Sequence, residues 1–345
     1  MREKWGREHF ESISEEVEID ERIFRSLFLI PEGFALMDAY VDISSWTMAG
    51  VLDTKLYVVK DYFNPRVLKA RETLAHELTH MMQTSSFDAP ETETFDEKQA
   101  WSALIEGDAD FTAGVYVKTE IKTSMGHSLN HAVAGAIAPE VGGSRGEDVA
   151  SVSKLRLFPY NYGEGFVRAL FSKGEWNMVN EAYLKPPSTT EQIMHPAKYL
   201  DGEGALEVVT PPLNSTGWSL KRVDRMGEHF IFVMLSNWLP EASASVAAGG
   251  WGGDSLTYYE RDGDWLLLWG VAWDSDVDAS EFYNAFLEML SMVEGEDSRL
   301  DGARLWIVDW GYVIITMRDG ETLIVGSTDR EALLNVHGAE VGFTK

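Results

Sequence analysis

The segment His76-Glu77-Leu78-Thr79-His80 contains the residue types from which a zinc hydrolase is built. Residues at i and i+4 share one face of an α-helix, so two imidazoles spaced this way can reach a single cation. Glu77 falls on the neighbouring edge of that face, from which a carboxylate can hold a water on the metal and take its proton without being a ligand itself. That chemistry needs a helix. The stretch from Arg66 to Gln83 contains no Gly or Pro, follows Pro65, and spaces Val67, Leu68, Leu74, Leu78, Met81 and Met82 at near-helical intervals. The competing reading is a surface helix whose histidines merely decorate an acidic protein.

A catalytic zinc needs a third protein ligand and an open fourth position. The next candidate helix, Asp96 to Glu120, contains Ile105-Glu106-Gly107-Asp108-Ala109-Asp110, and Trp101, Leu104, Ile105, Phe111 and Val115 give it an apolar stripe. The polar, Pro90-containing connection from Ser85 to Thr94 would fold the two helices antiparallel, which could bring Glu106 opposite His76 and His80.

On these residues the chain resembles the gluzincin clan of zinc peptidases, in which HExxH on one helix is completed by a glutamate on the next. In that clan an aspartate four residues after the glutamate bonds a zinc histidine, and Glu106 and Asp110 have that spacing. The resemblance implies Glu106 as the third Zn2+ ligand beside His76 and His80, with Asp110 fixing an imidazole tautomer. Asp108 is a second candidate for that role. The chain is also similar to a family of poorly characterised bacterial and archaeal HExxH proteins, through HELTH, the Glu106-Gly107-Asp108-Ala109 element, Phe158-Pro159-Tyr160-Asn161-Tyr162-Gly163, and the segment from Pro186-Pro187-Ser188-Thr189 to His195-Pro196-Ala197-Lys198-Tyr199. That likeness transfers no substrate.

Attack on an amide builds negative charge on the former carbonyl oxygen, and a donor is normally aimed at it. His195, Tyr199, Tyr160 and Tyr162 are the available donors. His195 is preferred, with Tyr199 beside it, because gluzincins commonly place such a His or Tyr on a later helix. Glu191 and His195, also four apart, could instead form a structural pair. His127 and His131 have the same spacing with no carboxylate between them and read as an exposed helix face; His9, His229 and His337 are isolated.

The 345 residues include 29 basic and 56 acidic side chains, and a net charge of −27 argues against nucleic acid and anionic membranes as partners. With no cysteine, ligands and nucleophiles are restricted to oxygen and nitrogen chemistry. No run approaches the roughly 20 apolar residues of a membrane span, and the N-terminus lacks the apolar core of a signal peptide. The expected location is soluble: cytoplasmic if the chain is full length, extracytoplasmic if a leader was removed.

The chain reads as two domains of α+β class. Residues 1–205 would form a zincin-like, mainly helical catalytic domain. It would have a helical N-terminal region, Glu21 to Tyr40, broken near Pro31-Glu32-Gly33, a short hairpin at Gly50 to Val59 with its turn at Asp53-Thr54, and later helices at Gly163 to Lys173 and Glu175 to Leu184. In zincin folds generally a strand at this place rims the cleft and pairs with extended substrate; otherwise it is simply a buried strand. Residues 213–345 would form a second α+β domain with an antiparallel sheet. Here an apolar helix (227–239) and a Gly-rich turn region (242–253) precede strands at 255–259, 265–273, 304–308, 312–318 and 322–326, with a helix at 278–293 between the strand groups. Its tryptophans read as core, except that Trp251-Gly252-Gly253-Asp254 suits a loop approaching another surface, such as the cleft.

The expected function is a zinc-dependent hydrolase, first of all a peptidase acting on peptide or protein substrates, with Glu77 as general base. The alternatives are a non-peptide amidase and a silent or autoinhibited zinc-containing binding or structural protein.

Overall fold

The computed structural model describes residues 11–44, 49–52, 55–60, 63–124, 147–211, 213, 217–293, 295–300 and 303–337, and its architecture is α+β. Helices α1 (Ser14–Ser26) and α2 (Leu36–Ser44) flank the Pro31-Gly33 break, and strands β1 (Ala49–Leu52) and β2 (Lys55–Val58) form an antiparallel pair with Leu52 opposite Lys55. The Asp53-Thr54 turn and the His127/His131 pair lie outside the described residues.

Helices α3 (Leu68–Ser86) and α4 (Phe95–Ser124) run antiparallel, as residue pairs from Arg71–Glu120 to Gln83–Ile105 show. The start of α4 is written in Thr94-Phe95-Asp96-Glu97. The Thr94 hydroxyl accepts from the Glu97 amide at 3.2 Å while the Glu97 carboxylate accepts from the amides of Thr94 and Glu93, a reciprocal cap that satisfies the first-turn donors. Helix α5 (Glu147–Arg156) leads into α6 (Phe158–Leu184), which is broken at Gly174 and Glu175, the boundary between the two helices expected from sequence. The first half of α6 crosses α4 with backbone on backbone. A Cβ on Gly107 would lie 2.1 Å from the Gly163 carbonyl carbon, and one on Gly163 would lie 2.2 Å from the Ala103 oxygen, so neither glycine can carry a side chain. Short helices α7 (Thr190–Met194) and α8 (Pro196–Asp201) close this half.

The second half is a seven-stranded antiparallel sheet in the order β3-β4-β5-β9-β8-β7-β6. Its strands are β3 (Ser219–Asp224), β4 (Trp251–Arg261), β5 (Asp264–Trp273), β6 (Gly295–Leu300), β7 (Ala303–Val308), β8 (Gly311–Arg318) and β9 (Glu321–Ser327). Helices α9 (Gly227–Ser236), α10 (Glu241–Ala248) and α11 (Asp276–Met292) cover one face, and α12 (Arg330–His337) the other. Two expectations need correction here. The region 242–253 is not one turn: its Ala-rich first part forms α10, and Trp251 to Asp254 opens β4. Trp251 is fully buried, and the close approach that its glycines permit is to the backbone of Leu206, not to a cleft.

The division into 1–205 and 213–345 also differs from the packing. One core joins Val17, Phe24, Leu27 and Leu36 of the N-terminal helices and Val152 and Leu155 of α5 to Phe230, Trp269 and Phe282 of the sheet half. A separate helical core joins Leu104, Phe111, Phe166 and Leu170. The amphipathic N-terminal helices therefore bury their apolar stripes on the sheet half, a partner that local periodicity cannot reveal. A buried carboxylate ties the halves together: Asp96 of α4 accepts from the Thr190 amide (2.7 Å) and, across the boundary, from the Arg225 guanidinium (3.1 Å), while within the sheet half Asp254 accepts from the amides of Met226 and Gly227 and the indoles of Trp251 and Trp269. No helix among the described residues is long and apolar enough to cross a membrane.

Candidate metal centre

Where α3 and α4 face each other, three side chains converge. The Nε2 atoms of His76 and His80 lie 3.0 Å apart with their rings at 88°, and Glu106 Oε2 lies 3.3 Å from the first and 3.4 Å from the second. Corners of a tetrahedron with bonds of about 2.0–2.1 Å are themselves about 3.3 Å apart. The three atoms thus have the spacing of three ligands around one zinc-sized ion.

Both imidazoles have their other nitrogen fixed. His76 Nδ1 is 2.9 Å from Asp110 Oδ1, and an ionised carboxylate only accepts, so the ring proton sits on Nδ1 and the Nε2 lone pair faces the cluster. His80 Nδ1 is 2.8 Å from Gln83 Oε1. The Gln83 amide orientation follows from its nitrogen, which donates to the Ile105 carbonyl and Asp108 Oδ2, each at 3.0 Å; its oxygen therefore accepts from His80. Tyr183 donates to the same Asp108 oxygen at 2.6 Å. Asp108 thus reaches the centre through Gln83, a residue that the sequence reading passed over. Its signal was position alone: three residues after His80, on the same helix face.

Two lone pairs and a carboxylate oxygen so close together repel unless positive charge lies between them. Glu106 Oε2 is buried and has no hydrogen-bond donor of good geometry among the described residues. Burial pulls the His76 imidazole down, but the Asp110 and Glu106 carboxylates outweigh it and push its pKa up to about 10. His80 is raised too, its burial outweighed chiefly by Glu106. Burial pushes the Glu106 carboxyl up, and the two imidazoles overcome it, holding it down at about 2. All three shifts have the sign expected of a centre that favours positive charge. His76, His80 and Glu106 could hold a metal ion.

Glu77, next to His76 on α3, is 8% exposed. The crossing of Gly107 and Gly163 brings the start of α6 onto this part of α4, and there the Tyr160 hydroxyl is near enough to Glu106 to feel its charge. Burial and then the Glu106 charge push the Tyr160 phenol up, so it stays a protonated donor.

His195 and Tyr199 are engaged elsewhere. His195 Nε2 is 3.0 Å from Glu228 Oε1, and the Tyr199 hydroxyl donates to the Lys185 carbonyl at 2.8 Å. Thr190, at the start of α7, is bonded to Asp96, ten residues and thus about 15 Å along α4 from Glu106. His195 and Tyr199 are therefore not seen in contact with the His76, His80 and Glu106 cluster. The Glu191–His195 structural pair is not seen either, because Glu191 is bonded to Lys198.

A second group, Glu191, Glu203 and Asp274, has the spacing of a metal site. Lys198 Nζ already sits among them, at 2.6, 2.6 and 2.9 Å.

Residues 218–337 match the model of a family described as a domain of unknown function, DUF8575. That span covers the sheet and leaves the α3–α4 centre outside. No curated protein and no solved structure matches the chain.

Proposed function

We propose that this chain is a zinc-dependent hydrolase with a zincin-like, gluzincin-type centre, acting on peptide bonds. The observation that carries the reading is the convergence of His76 Nε2, His80 Nε2 and Glu106 Oε2, each 3.0–3.4 Å from the others, with Asp110 behind one imidazole. A bound zinc would supply Lewis acidity and lower the pKa of an attacking water towards about 7. Glu77, beside His76 on α3, would be the base that takes the proton of that water and delivers it to the leaving amine. Tyr160, a neutral donor beside Glu106, is better placed than His195 or Tyr199 to donate to the oxygen on which charge develops. Strand β2, the outer strand of its hairpin, has Tyr57 and Val58 exposed and offers backbone donors and acceptors to an extended peptide.

The test compares wild type with Glu77→Gln after zinc loading, by metal analysis and by cleavage of a mixed peptide library. Both proteins should hold zinc, and the variant should cleave roughly 10²–10⁴-fold more slowly. Wild-type protein that takes up no zinc, or a variant as active as wild type, defeats the reading.

A further inference from the structure

Charge is unevenly placed in this chain. Residues 55–71, which run from β2 into α3, include five basic side chains and one acidic one, whereas the whole chain has 29 basic and 56 acidic. A local excess of cations on a molecule of net charge −27 is a place where an anionic partner meets attraction and not the overall repulsion. Two of the five are engaged inside the fold: Lys69 pairs with Glu72 at 3.3 Å and Arg71 with Glu120 at 2.6 Å. Lys55, Lys60 and Arg66 are exposed and have no acidic partner among the described residues.

Lys55 lies on an open strand edge, and Lys60 and Arg66 lie just beyond its end. β1 lies along α3, and among the described residues β2 pairs with β1 alone, so its other edge presents unpaired backbone N–H and C=O groups. A two-stranded ribbon is marginal by itself, and a third strand extends it. Successive side chains of a strand point to opposite faces, which puts Lys55 and Tyr57 on the same face of β2. Tyr57 is 53% exposed, and Val58 and Val67 are exposed with it. Unpaired backbone, exposed apolar side chains and cations without counter-charges thus occur together.

The charges select the occupant. Pairing of β2 with β2 of a second copy would bring the lysines of both strands together, and like charges across a strand pair destabilise it. An acidic strand meets the opposite situation, since cross-strand pairs of opposite charge and of apolar groups both stabilise.

We propose that β2 takes up an extended acidic peptide as a third strand, with an acidic side chain across from Lys55 and an apolar one, two residues away, across from Tyr57. The inference rests on the peptidase reading only for the fate of that peptide, which would be the substrate; binding itself requires no hydrolysis.

A capped, fluorescein-labelled hexapeptide, Glu-Thr-Phe-Thr-Glu-Thr, tests it against its counterpart with both Glu replaced by Lys. Binding is followed by fluorescence anisotropy on the full Glu77→Gln chain, in which the peptide survives. The Glu peptide should bind at least about tenfold more tightly at low salt, and the preference should shrink in about 1 M NaCl, where charges are screened beyond about 3 Å. The double variant Lys55→Glu, Lys60→Glu should reverse the preference and leave the thermal midpoint unchanged, because both side chains are exposed. Tyr57→Ser should weaken both peptides about threefold or more. Equal affinities for the two peptides, a preference that survives the double reversal, or a protein that binds phosphatidylserine vesicles and not the Glu peptide would each overturn the proposal. Wild-type protein that binds the Glu peptide with this preference and leaves it whole supports the docking surface and defeats the peptidase reading alone.

Discussion

Two clusters in this molecule have the spacing of a metal site, and they behave in opposite ways. Around Glu191, Glu203 and Asp274 the positive charge is covalently part of the chain, because the Lys198 ammonium bonds all three carboxylates. Around His76, His80 and Glu106 no lysine or arginine side chain pairs with any of the three among the described residues. Each imidazole there is instead backed by an acceptor that turns its lone pair inward. Ligand spacing does not separate the two; what does is whether the fold has already supplied the cation. A cluster satisfied by its own lysine is a structural tie, and one whose three groups converge with no lysine or arginine among them could hold an exchangeable ion.

Removing one inward-facing group from the open cluster should have the largest effect. His80→Ala leaves two protein ligands, and zinc affinity measured by chelator competition should fall by more than the ~10–100-fold that follows loss of a supporting hydrogen bond. Activity, if the proposed function holds, should disappear with it. Glu203→Gln, made in the closed cluster, should change neither.

Next in size is the converse experiment. Lys198→Met removes the built-in cation and leaves Glu191, whose side chain is 3% exposed, among other carboxylates. Breaking such a buried pair costs about 3 kcal/mol, seen as a lower midpoint in urea. Millimolar calcium should restore part of that loss in the variant and do nothing for wild type, because the emptied cluster then offers oxygen ligands. A variant of unchanged stability would show that the lysine is not the element that closes the cluster.

What the sequence revealed of these clusters follows from the range over which each is assembled. His76, His80, Glu106 and Asp110 were legible because helical periodicity on two adjacent helices fixes their faces. Tyr160 stood in a segment that drew notice but had no assignable place, since its position depends on Gly107 meeting Gly163, a contact between helices distant in sequence. His195 read as reactive because its actual partner, Glu228, lies on α9, across the boundary expected between domains. The sheet tells the same story. Strands β4, β5, β7, β8 and β9 were visible in apolar runs bounded by turns, whereas β3 and β6 were missed. Those two are the edges of the sheet, and their sequences, Ser-Leu-Lys-Arg-Val-Asp and Gly-Glu-Asp-Ser-Arg-Leu, have little apolar surface to show.

The two imidazole supports allow a finer cut within the open cluster. Asp110 backs His76 with a full charge and Gln83 backs His80 with a neutral amide. Gln83→Leu should lower zinc affinity by ~10–100-fold, and Gln83→Glu should restore or exceed the wild-type value, because a carboxylate accepts from Nδ1 more strongly. Equal affinities in all three proteins would show that Gln83 serves the packing of Asp108 and Tyr183 alone.

His229 supplies an effect that vanishes at neutral pH and grows towards acid, and a third point for the comparison, a histidine placed where no cation is tolerated. It is 3% exposed, its ring lies 4.3 Å from that of Phe158, its Nδ1 has no partner among the described residues, and burial, helped by the Lys154 charge, holds its pKa down at about 3. The unfolded chain takes up this proton near pH 6.5 and the folded chain does not. The stability that His229 contributes is therefore present above pH 6.5 and lost as pH falls from there towards 3, at up to ~1.4 kcal/mol per pH unit. His229→Phe removes that titration, so urea midpoints of variant and wild type measured from pH 7 to pH 4 should diverge steadily, with the variant favoured at the acid end. Parallel curves would mean that His229 already accepts a proton in the folded protein, which its apolar surroundings should forbid.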